Sequence, residues 1–293
     1  MTAAGNVSVL AGGASSSPQD GTGPAAGFGN LGGIAYDPVT KALYAVDGSL
    51  VRAISTAGAV KTLPGSLPGG FSQSITPVAY DGKRNRLVIA LPSSNEIVGV
   101  STSTGAVKTI AGQCLFFGAP STGSCDSVER DGPGTVALFA QPSAVAVDAA
   151  GTIYVADAGN NSVRRIDVTN VVTTLAGNGI AAELDGAGLA AEFDAPAELA
   201  LDAVHGILYT IDGYPNEYSV DTGTLRSVTT SGPAAPPPVT SIVLFDTATP
   251  DAQPFALDWR ATTPASPVLW YTETTGRLAA VNMAGASSQI ADP

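Results

Sequence analysis

Histidine, cysteine and basic residues are scarce in this chain. Its 293 residues include one His, two Cys and 13 Lys plus Arg against 25 Asp plus Glu, which gives a formal net charge of −12. A surface of that sign repels phosphate groups, so the composition argues against binding to nucleic acid or an anionic membrane. The single histidine, His205, stands in a DAVHG stretch that reads as a solvent-facing turn. Its isolation argues against histidine metal centres and against Ser-His-Asp and Cys-His catalysis.

Long apolar runs are also lacking. The apolar residues, 44% of the chain, occur in short runs that cannot span a bilayer, so we expect no membrane insertion. With only 13% charged residues against that apolar content, the chain is not disordered either. Residues 1–13 contain no basic n-region followed by an apolar h-region, so either the protein is cytosolic or its leader has been removed.

One short pattern recurs five times: an apolar residue, Ala, an apolar or aromatic residue, then Asp. The copies are IAYD (34–37), VAYD (78–81), VAVD (145–148), LALD (199–202) and FALD (255–258). Turn-rich gaps and three further short apolar segments follow each copy, without helical periodicity. The sequence therefore predicts an all-β fold of four-stranded antiparallel units, with bounds of 31–65, 74–112, 142–177, 196–232 and 252–293. A four-stranded antiparallel unit that recurs along the chain in this way is typical of β-propeller blades.

Two apolar segments fall outside this division. VSVLAGG (7–13) is an orphan fourth strand, and TSIVLFD (240–246) is unassigned. In the fourth unit the third and fourth strands are predicted at 216–221 and 224–232. We expect strand 7–13 to close a ring of five blades formed by one domain, residues 1–293. Six blades are the alternative, with 7–13 and 240–246 contributing to a degenerate sixth.

The third unit, PSAVAVDAAGTIYVADAGNNSVRRIDVTNVVTTLAG (142–177), resembles the NHL-repeat family of β-propellers. The resemblance is strong over 131–202 and looser over the rest of the chain. It implies blades arranged radially around a channel, most often six of them. Lyases of similar fold use several histidines around a metal, which this chain lacks, whereas propeller lactonases and phytases use carboxylates and metals at the channel mouth.

An Asp-Gly-x-Gly motif precedes three of the units. From Leu175, Asp185, Phe193 and Asp202 lie 10, 18 and 27 residues on, and the same offsets separate Leu10 from Asp20, Phe28 and Asp37. The third copy, with Asp131 and Phe139, follows an eleven-residue insertion. We interpret the motif as a turn between blades in which Asp caps backbone N–H groups and Phe fills a gap between blades, with a cation site as the alternative.

Both cysteines bound the inserted loop. Cys114 and Cys125 close a segment of 12 residues, and a disulfide there contributes roughly 3 kcal/mol. Two free thiols are the alternative, and a metal site has too few ligands. A disulfide indicates an oxidising compartment, so we expect a secreted, cell-surface or periplasmic protein with its leader removed. Leu115, Phe116 and Phe117 in the loop either cover the blade or contact a partner.

Other candidate site residues lie in or beside the turns that follow the second strands. Acids end that strand in four of the five units: Asp47, Asp157, Asp212 and Glu273. Such residues cap turns, and they are also candidates for a divalent cation site such as calcium. The nonrepeating polar and aromatic residues Asn160, Asn161, Tyr214 and Asn216 are candidates for binding a peptide or sugar.

These features favour an extracellular, noncatalytic propeller that binds a protein or glycan through loops on one face and needs no cofactor. The first alternative is a cation-dependent hydrolase or lactonase with carboxylates at the channel mouth. The second is a structural spacer within a larger surface protein.

Overall fold

The structure is a computed structural model that describes residues 8–13, 15–68, 77–113, 129–213, 224–230, 238–242, 257–261, 267–272 and 278–282. Blades 1 and 2 contain Gly21–Thr22 (β1), Leu31–Asp37 (β2), Ala42–Asp47 (β3), Leu50–Ile54 (β4), Ala59–Thr62 (β5), Val78–Asp81 (β6), Arg86–Leu91 (β7), Glu96–Ser101 (β8) and Val107–Gly112 (β9). Blade 3 contains Gly132–Pro133 (β10), Pro142–Val147 (β11), Ile153–Asp157 (β12), Ser162–Ile166 (β13) and Val171–Ala176 (β14). Blades 4 and 5 contain Gly186–Ala187 (β15), Leu199–Asp202 (β16), Ile207–Asp212 (β17), Thr224–Thr229 (β18), Pro238–Ile242 (β19), Leu257–Ala261 (β20), Pro267–Thr272 (β21) and Leu278–Asn282 (β22). Helical turns of the 3₁₀ type occupy Gly23–Ala25, Ala158–Asn160 and Gly188–Ala190.

Each blade is a meander of antiparallel strands, as predicted. In blades 1, 3 and 4 a fifth, two-residue strand from the preceding connection pairs with the outermost strand, in the order β1-β5-β4-β3-β2 and its equivalents. The first strands of successive blades lie side by side, with β2 next to β6, then β11, β16 and β20. The all-β prediction of stacked four-stranded sheets is therefore confirmed.

The recurring Asp at the end of the first strand explains why each hairpin turns where it does. Asp37 accepts the Val39 N–H at 2.8 Å, and Asp148 accepts the Thr152 N–H at 2.8 Å. Asp202 accepts the N–H groups of Val204 and His205 at 3.0 and 3.1 Å. These bonds satisfy turn N–H groups that the sheet leaves unpaired.

The hydrophobic core lies between blades rather than within them. One cluster joins Val88 and Ile97 of blade 2 to Val145 and Ile153 of blade 3. Equivalent clusters join blades 1 and 2 and blades 3 and 4. The sheets of blades 2 and 3 thus bury side chains on both faces, which accounts for the apolar strands that the sequence shows there.

The strand division of the fourth unit needs correction. β18 at Thr224–Thr229 is the third strand, not the fourth, and β19 at Pro238–Ile242 is the fourth. The unit therefore extends beyond residue 232, and the start of the unassigned segment 240–246 belongs to it. The predicted third strand at 216–221 lies outside the described residues. Residues 8–13, part of the predicted strand 7–13, form no strand with any described residue.

Candidate functional site

A fully buried arginine occupies the third strand of blades 1, 3 and 4. Arg52, Arg164 and Arg226 have no exposed side-chain surface. Each binds the acid that ends the second strand, Asp47, Asp157 or Asp212, at 2.7, 2.8 and 2.7 Å. Each also binds the Asp of the Asp-Gly-x-Gly motif, Asp20, Asp131 or Asp185, at 3.1, 2.7 and 3.0 Å. We call this Asp–Arg–Asp arrangement the clamp.

The strand-end acids use their second oxygen on the backbone. Asp47 Oδ1 accepts the N–H groups of Gly29 and Asn30 at 2.9 and 2.8 Å. Asp157 Oδ1 accepts the Ala140 N–H at 2.7 Å, and Asp212 Oδ1 accepts the Asp194 N–H at 2.8 Å. The clamp therefore fixes the entry of the chain into the first strand of the same blade. Burial raises the pKa of Asp157 to about 6 and that of Asp212 to about 7, despite the arginine beside each.

The motif acids are half exposed and hold the outer edge of the blade. Asp20 Oδ1 accepts both the N–H and the hydroxyl of Thr62 on β5, at 2.9 and 2.7 Å. Asp131 accepts the N–H of Thr174 on β14 at 3.0 Å. The hydrogen bonds from Thr62 lower the pKa of Asp20. The motif Asp therefore binds both the outermost strand and the buried arginine. The sequence analysis predicted its role in a turn but not its bond to the arginine.

The phenylalanine of the motif packs under the guanidinium. The distances from Arg Cζ to the ring centroids of Phe28, Phe139 and Phe193 are 5.2, 5.2 and 5.1 Å. This range allows a cation–π contribution. Phe139 and Phe193 are fully buried in the clusters between blades. The prediction that Phe fills a gap between blades is confirmed for these two.

Blade 2 shows what replaces the clamp. Leu91 stands where the other second strands end in Asp, and Val98, opposite Ile89, stands at the position of the arginine. Both are buried in the cluster shared with blade 1. Acid and arginine are thus replaced together, which indicates that they form one structural unit.

The prediction of a cation site at the strand-end acids needs correction for three of its four residues. Asp47, Asp157 and Asp212 each lie buried in their own blade, with both oxygens bound to arginine and backbone, so they form no shared ring of free carboxylates. Glu273 lies outside the described residues. Within the described part of the chain, no group of three or more His, Cys, Asp or Glu is placed to hold a metal ion.

Two of the predicted binding residues hold the scaffold instead. Asn160 is buried and donates from Nδ2 to Asp157 Oδ2 at 2.8 Å. Asn161, at a φ of 50°, accepts the N–H of Ala195 in the next blade at 3.0 Å. Asn95 makes the same kind of bond from blade 2 to Gln141, at 2.8 Å. The side chains of Asn160 and Asn161, on which the predicted polar site depended, are therefore used within blade 3 and between blades 3 and 4.

Most of the remaining predicted residues lie outside the described part of the chain, and His205 lies in a hairpin. Tyr214, Asn216, Leu115, Phe116 and Phe117 lie outside the described residues, as do Cys114 and Cys125. His205 lies in the β16–β17 hairpin, with its side chain 45% exposed and its Nδ1 bonded to Asp202.

Glu198 is a functional candidate that sequence reasoning did not single out. It lies directly before β16, the innermost strand of blade 4, and makes no hydrogen bond or ion pair with any described residue. Burial raises its pKa to about 7. A carboxyl group with a pKa near neutrality is suited to proton transfer. The sequence could have identified it, because blades 1 and 3 have the small residues Gly32-Gly33 and Ser143-Ala144 directly before the first-strand pattern, where blade 4 has a Glu.

Residues 139–166 match the NHL repeat, which confirms the predicted resemblance. Protein SUPPRESSOR OF QUENCHING 1, chloroplastic, of Arabidopsis thaliana is 30% identical over 172 residues, 58% of this chain and 16% of that protein. The chain therefore corresponds to a small part of that curated relative.

Solved structures show the fold. A chain of the nidogen/laminin complex aligns with a TM-score of 0.59 at 16% identity, covering 90% of this chain and 80% of that one. A gluconolactonase of Xanthomonas campestris aligns with a TM-score of 0.57 at 15% identity, covering 90% and 75%. At these identities the likeness establishes a β-propeller and no activity. No helix in the described residues has the length and apolar character needed to cross a membrane.

Proposed function

We propose that this chain is an extracellular, noncatalytic β-propeller that binds a protein partner through loops at one end of its blades. The observation that carries the proposal is the clamp. The carboxylates that a catalytic or metal-binding propeller would present at the strand ends are instead buried against arginine. The recurring chemistry of this chain thus serves the scaffold, which leaves the nonrepeating loops as the place for recognition.

The inserted loop before blade 3 is the proposed contact. It leads from the fourth strand of blade 2 to the first strand of blade 3, at the strand end that also carries the turns after the second strands. Leu115, Phe116 and Phe117 supply the apolar surface that protein interfaces favour. The nidogen/laminin structure supports this proposal in one respect: a chain of this fold takes part there in a protein–protein complex. A glycan would instead use Tyr214 and Asn216.

The proposed extracellular location rests on the predicted disulfide between Cys114 and Cys125. Intact mass before and after reduction and alkylation tests it. If both cysteines are alkylated without reductant, the argument for an oxidising compartment is lost.

The binding proposal is tested with the purified chain as bait on the surface-protein fraction of its source organism. Affinity for the captured protein is then measured with both components purified. Phe116→Ser/Phe117→Ser is expected to weaken binding at least about tenfold, because aromatic anchors dominate such contacts. The control is Val204→Ser, an exposed apolar residue in a hairpin at the opposite strand end. Equal affinity of the double variant and the parent chain contradicts the proposed contact.

A cation-dependent hydrolase or lactonase is the second candidate, and Glu198 is the observation that favours it. The partly buried carboxyl of Glu198 has no ion pair or hydrogen bond within the described part of the chain, and burial raises its pKa to about 7. It lies beside an inner strand, where such chemistry would be placed. Calcium calorimetry and melting with and without chelator test the cation requirement, and hydrolysis of a simple lactone by the parent chain and Glu198→Gln tests the carboxyl. No heat, no chelator effect and no turnover exclude this candidate. Absence of both binding and turnover would leave the spacer hypothesis.

A further inference from the structure

Asn178 and Gly179 form the one Asn-Gly dipeptide of the chain, in the connection between blades 3 and 4. Both residues are exposed, and Gly179 has a φ of 85°. Among the described residues, apart from its chain neighbours, the nearest atom to a Cβ built on Gly179 is Asn160 O, at 3.9 Å. The Gly179 backbone is therefore uncrowded, and its N–H makes no hydrogen bond with any described residue.

The side chain of Asn178 is turned back along the main chain. Its Oδ1 accepts the N–H of Ile180 at 2.9 Å, and its Nδ2 donates to Glu192 Oε1 at 3.1 Å. Because Ile180 follows Gly179, the first bond holds the side-chain carbonyl beside the Gly179 backbone. A donor at this oxygen also makes the carbonyl carbon, Cγ, more open to attack by a nucleophile.

We propose that Asn178 is a site of self-modification, at which the folded chain converts asparagine to aspartate and isoaspartate. The Gly179 nitrogen loses its proton and attacks Asn178 Cγ, and the bond from Cγ to Nδ2 breaks. The side-chain nitrogen leaves as ammonia, which takes up the proton that the Gly179 nitrogen lost. Water then opens the five-membered imide at either carbonyl, and the Gly179 nitrogen regains a proton. The reaction is intramolecular and uses water alone as co-reactant. This inference is independent of the proposed function.

The clamp of blade 4 protects a dipeptide that is open to the same ring closure. Asp185 is bonded to Arg226 at 3.0 Å, and Gly186 lies in β15, opposite Val239 of β19. The arginine holds the carboxylate away from the main chain, and sheet pairing holds the glycine backbone in an extended form. The chain thus contains an accessible site and a protected site for one type of reaction.

Conversion of Asn178 changes contacts that join blades 3 and 4. Asn161 of blade 3 donates from Nδ2 to Gly179 O at 3.2 Å, while its Oδ1 accepts the Ala195 N–H of blade 4 at 3.0 Å. Isoaspartate at position 178 lengthens the main chain by one atom directly before Gly179, which displaces Gly179 O from Asn161. Either product also replaces the amide that binds Glu192 by a carboxylate, which repels it.

Incubation of the purified full chain tests the proposal. The folded chain and the chain unfolded in urea are held at pH 8 and then digested at mildly acidic pH, which stops the reaction. Peptide mass mapping separates the asparagine, aspartate and isoaspartate forms of the peptide that contains position 178. Because an exposed segment reacts without unfolding, we expect Asn178 in the folded chain to react at no less than about one tenth of its rate in urea. At pH 6 the folded chain should react at least about tenfold more slowly, since the attack needs a deprotonated nitrogen.

Asp185-Gly186 is the internal control. In incubations at pH 6 it is expected to form isoaspartate in urea, and at least about tenfold more slowly in the folded chain. Asn178→Gln is the matched variant, because its longer side chain closes the ring far more slowly while it keeps an amide at this position. It should release less ammonia than the parent chain over the same time.

The effect on the contact between blades is measured on the converted chain, separated from the parent by ion exchange. Its Tm is expected to be lower by roughly 2 °C or more. An equal Tm overturns the link to the contact between blades.

A rate for Asn178 in the folded chain that is more than about tenfold below the rate in urea shows that the connection is protected, and it overturns the proposal. Equal ammonia release by the parent chain and Asn178→Gln overturns it as well, because another amide is then the source.

Discussion

Removing the arginine of one clamp should destabilise the chain far more than removing an ordinary surface charge. In Arg164→Met, Asp157 keeps only the N–H of Ala140 and the amide of Asn160 at 2.7 and 2.8 Å and loses its counter-charge at 2.8 Å. Leaving one buried charge without its partner costs about 3–5 kcal/mol. Asp131 is half exposed, so water replaces most of what the motif acid loses.

Blade 2 supplies the compensating change. Asp157→Leu/Arg164→Val copies its Leu91 and Val98 and removes both charges at once. The Ala140 N–H then remains unpaired, at a cost of about 1–3 kcal/mol, and some packing is lost. Because each single variant leaves one buried charge, the double variant should cost less than the sum of the singles by at least about 2 kcal/mol.

Urea unfolding at pH 8 of the parent, Asp157→Leu, Arg164→Met, Arg164→Val and double variants measures these free energies. Arg165→Met on the same strand is the control, with an expected change below about 0.5 kcal/mol. A loss below about 1 kcal/mol for Arg164→Met, or additive losses in the double variant, would refute the view that the clamp is one coupled buried unit.

The other predictions concern separate parts of the chain. Burial raises the pKa of Glu198 from 4.5 to about 7. The free energy of unfolding therefore falls as the pH rises from 4.5 to about 7, because the unfolded chain ionises this carboxyl more readily than the folded chain does. Glu198→Gln should therefore stabilise the chain at pH 8, by at most about 3 kcal/mol, and have little effect at pH 4.5 in urea unfolding; an equal effect at both pH values contradicts this. Asn161→Ala leaves the Ala195 N–H unpaired and should cost about 1–3 kcal/mol, with retained stability as the contrary result. Mild reduction of the bridge predicted between Cys114 and Cys125 should lower stability by roughly 3 kcal/mol, and an unchanged urea midpoint contradicts this.

The architecture could be predicted because repetition constrains it. The pattern that ends in Asp37, Asp81, Asp148 and Asp202 places a hairpin at a fixed point in each unit, and the structure shows the hydrogen bonds behind it. The division of the fourth unit was wrong because Thr224–Thr229, which pairs directly with β17, was assigned to the fourth strand instead of the third. Arg226 in TLRSV aligns with Arg52 in SLVRAI and Arg164 in SVRRI, and this alignment would have identified the third strand.

The candidate site was harder to predict because the partner of each acid lies on another strand. Asp47, Asp157 and Asp212 recur in register, which suits both a ring of ligands and a set of internal ion pairs. Only the arginines on the neighbouring strand distinguish the two. Reading strands in pairs, with acid and base five to fourteen residues apart, would have favoured the ion pairs. Glu198 was missed because a Glu that occurs in one unit only gives no periodic signal, and its burial depends on the tertiary fold.

The clamp also sets where one structural module ends and the next begins. Since Glu129 and Asp131 are both bonded to β13 or β14 downstream, the smallest self-contained unit starts just before that Asp rather than at the first strand. New sequence is accommodated before the Asp, where no clamp is crossed, and the eleven-residue insertion between Ile110 and Asp131 falls in that interval. The same interval between Leu175 and Asp185 is therefore the place to graft a loop, tag or new terminus, whereas a cut between Asp185 and β16 would separate an acid from its arginine.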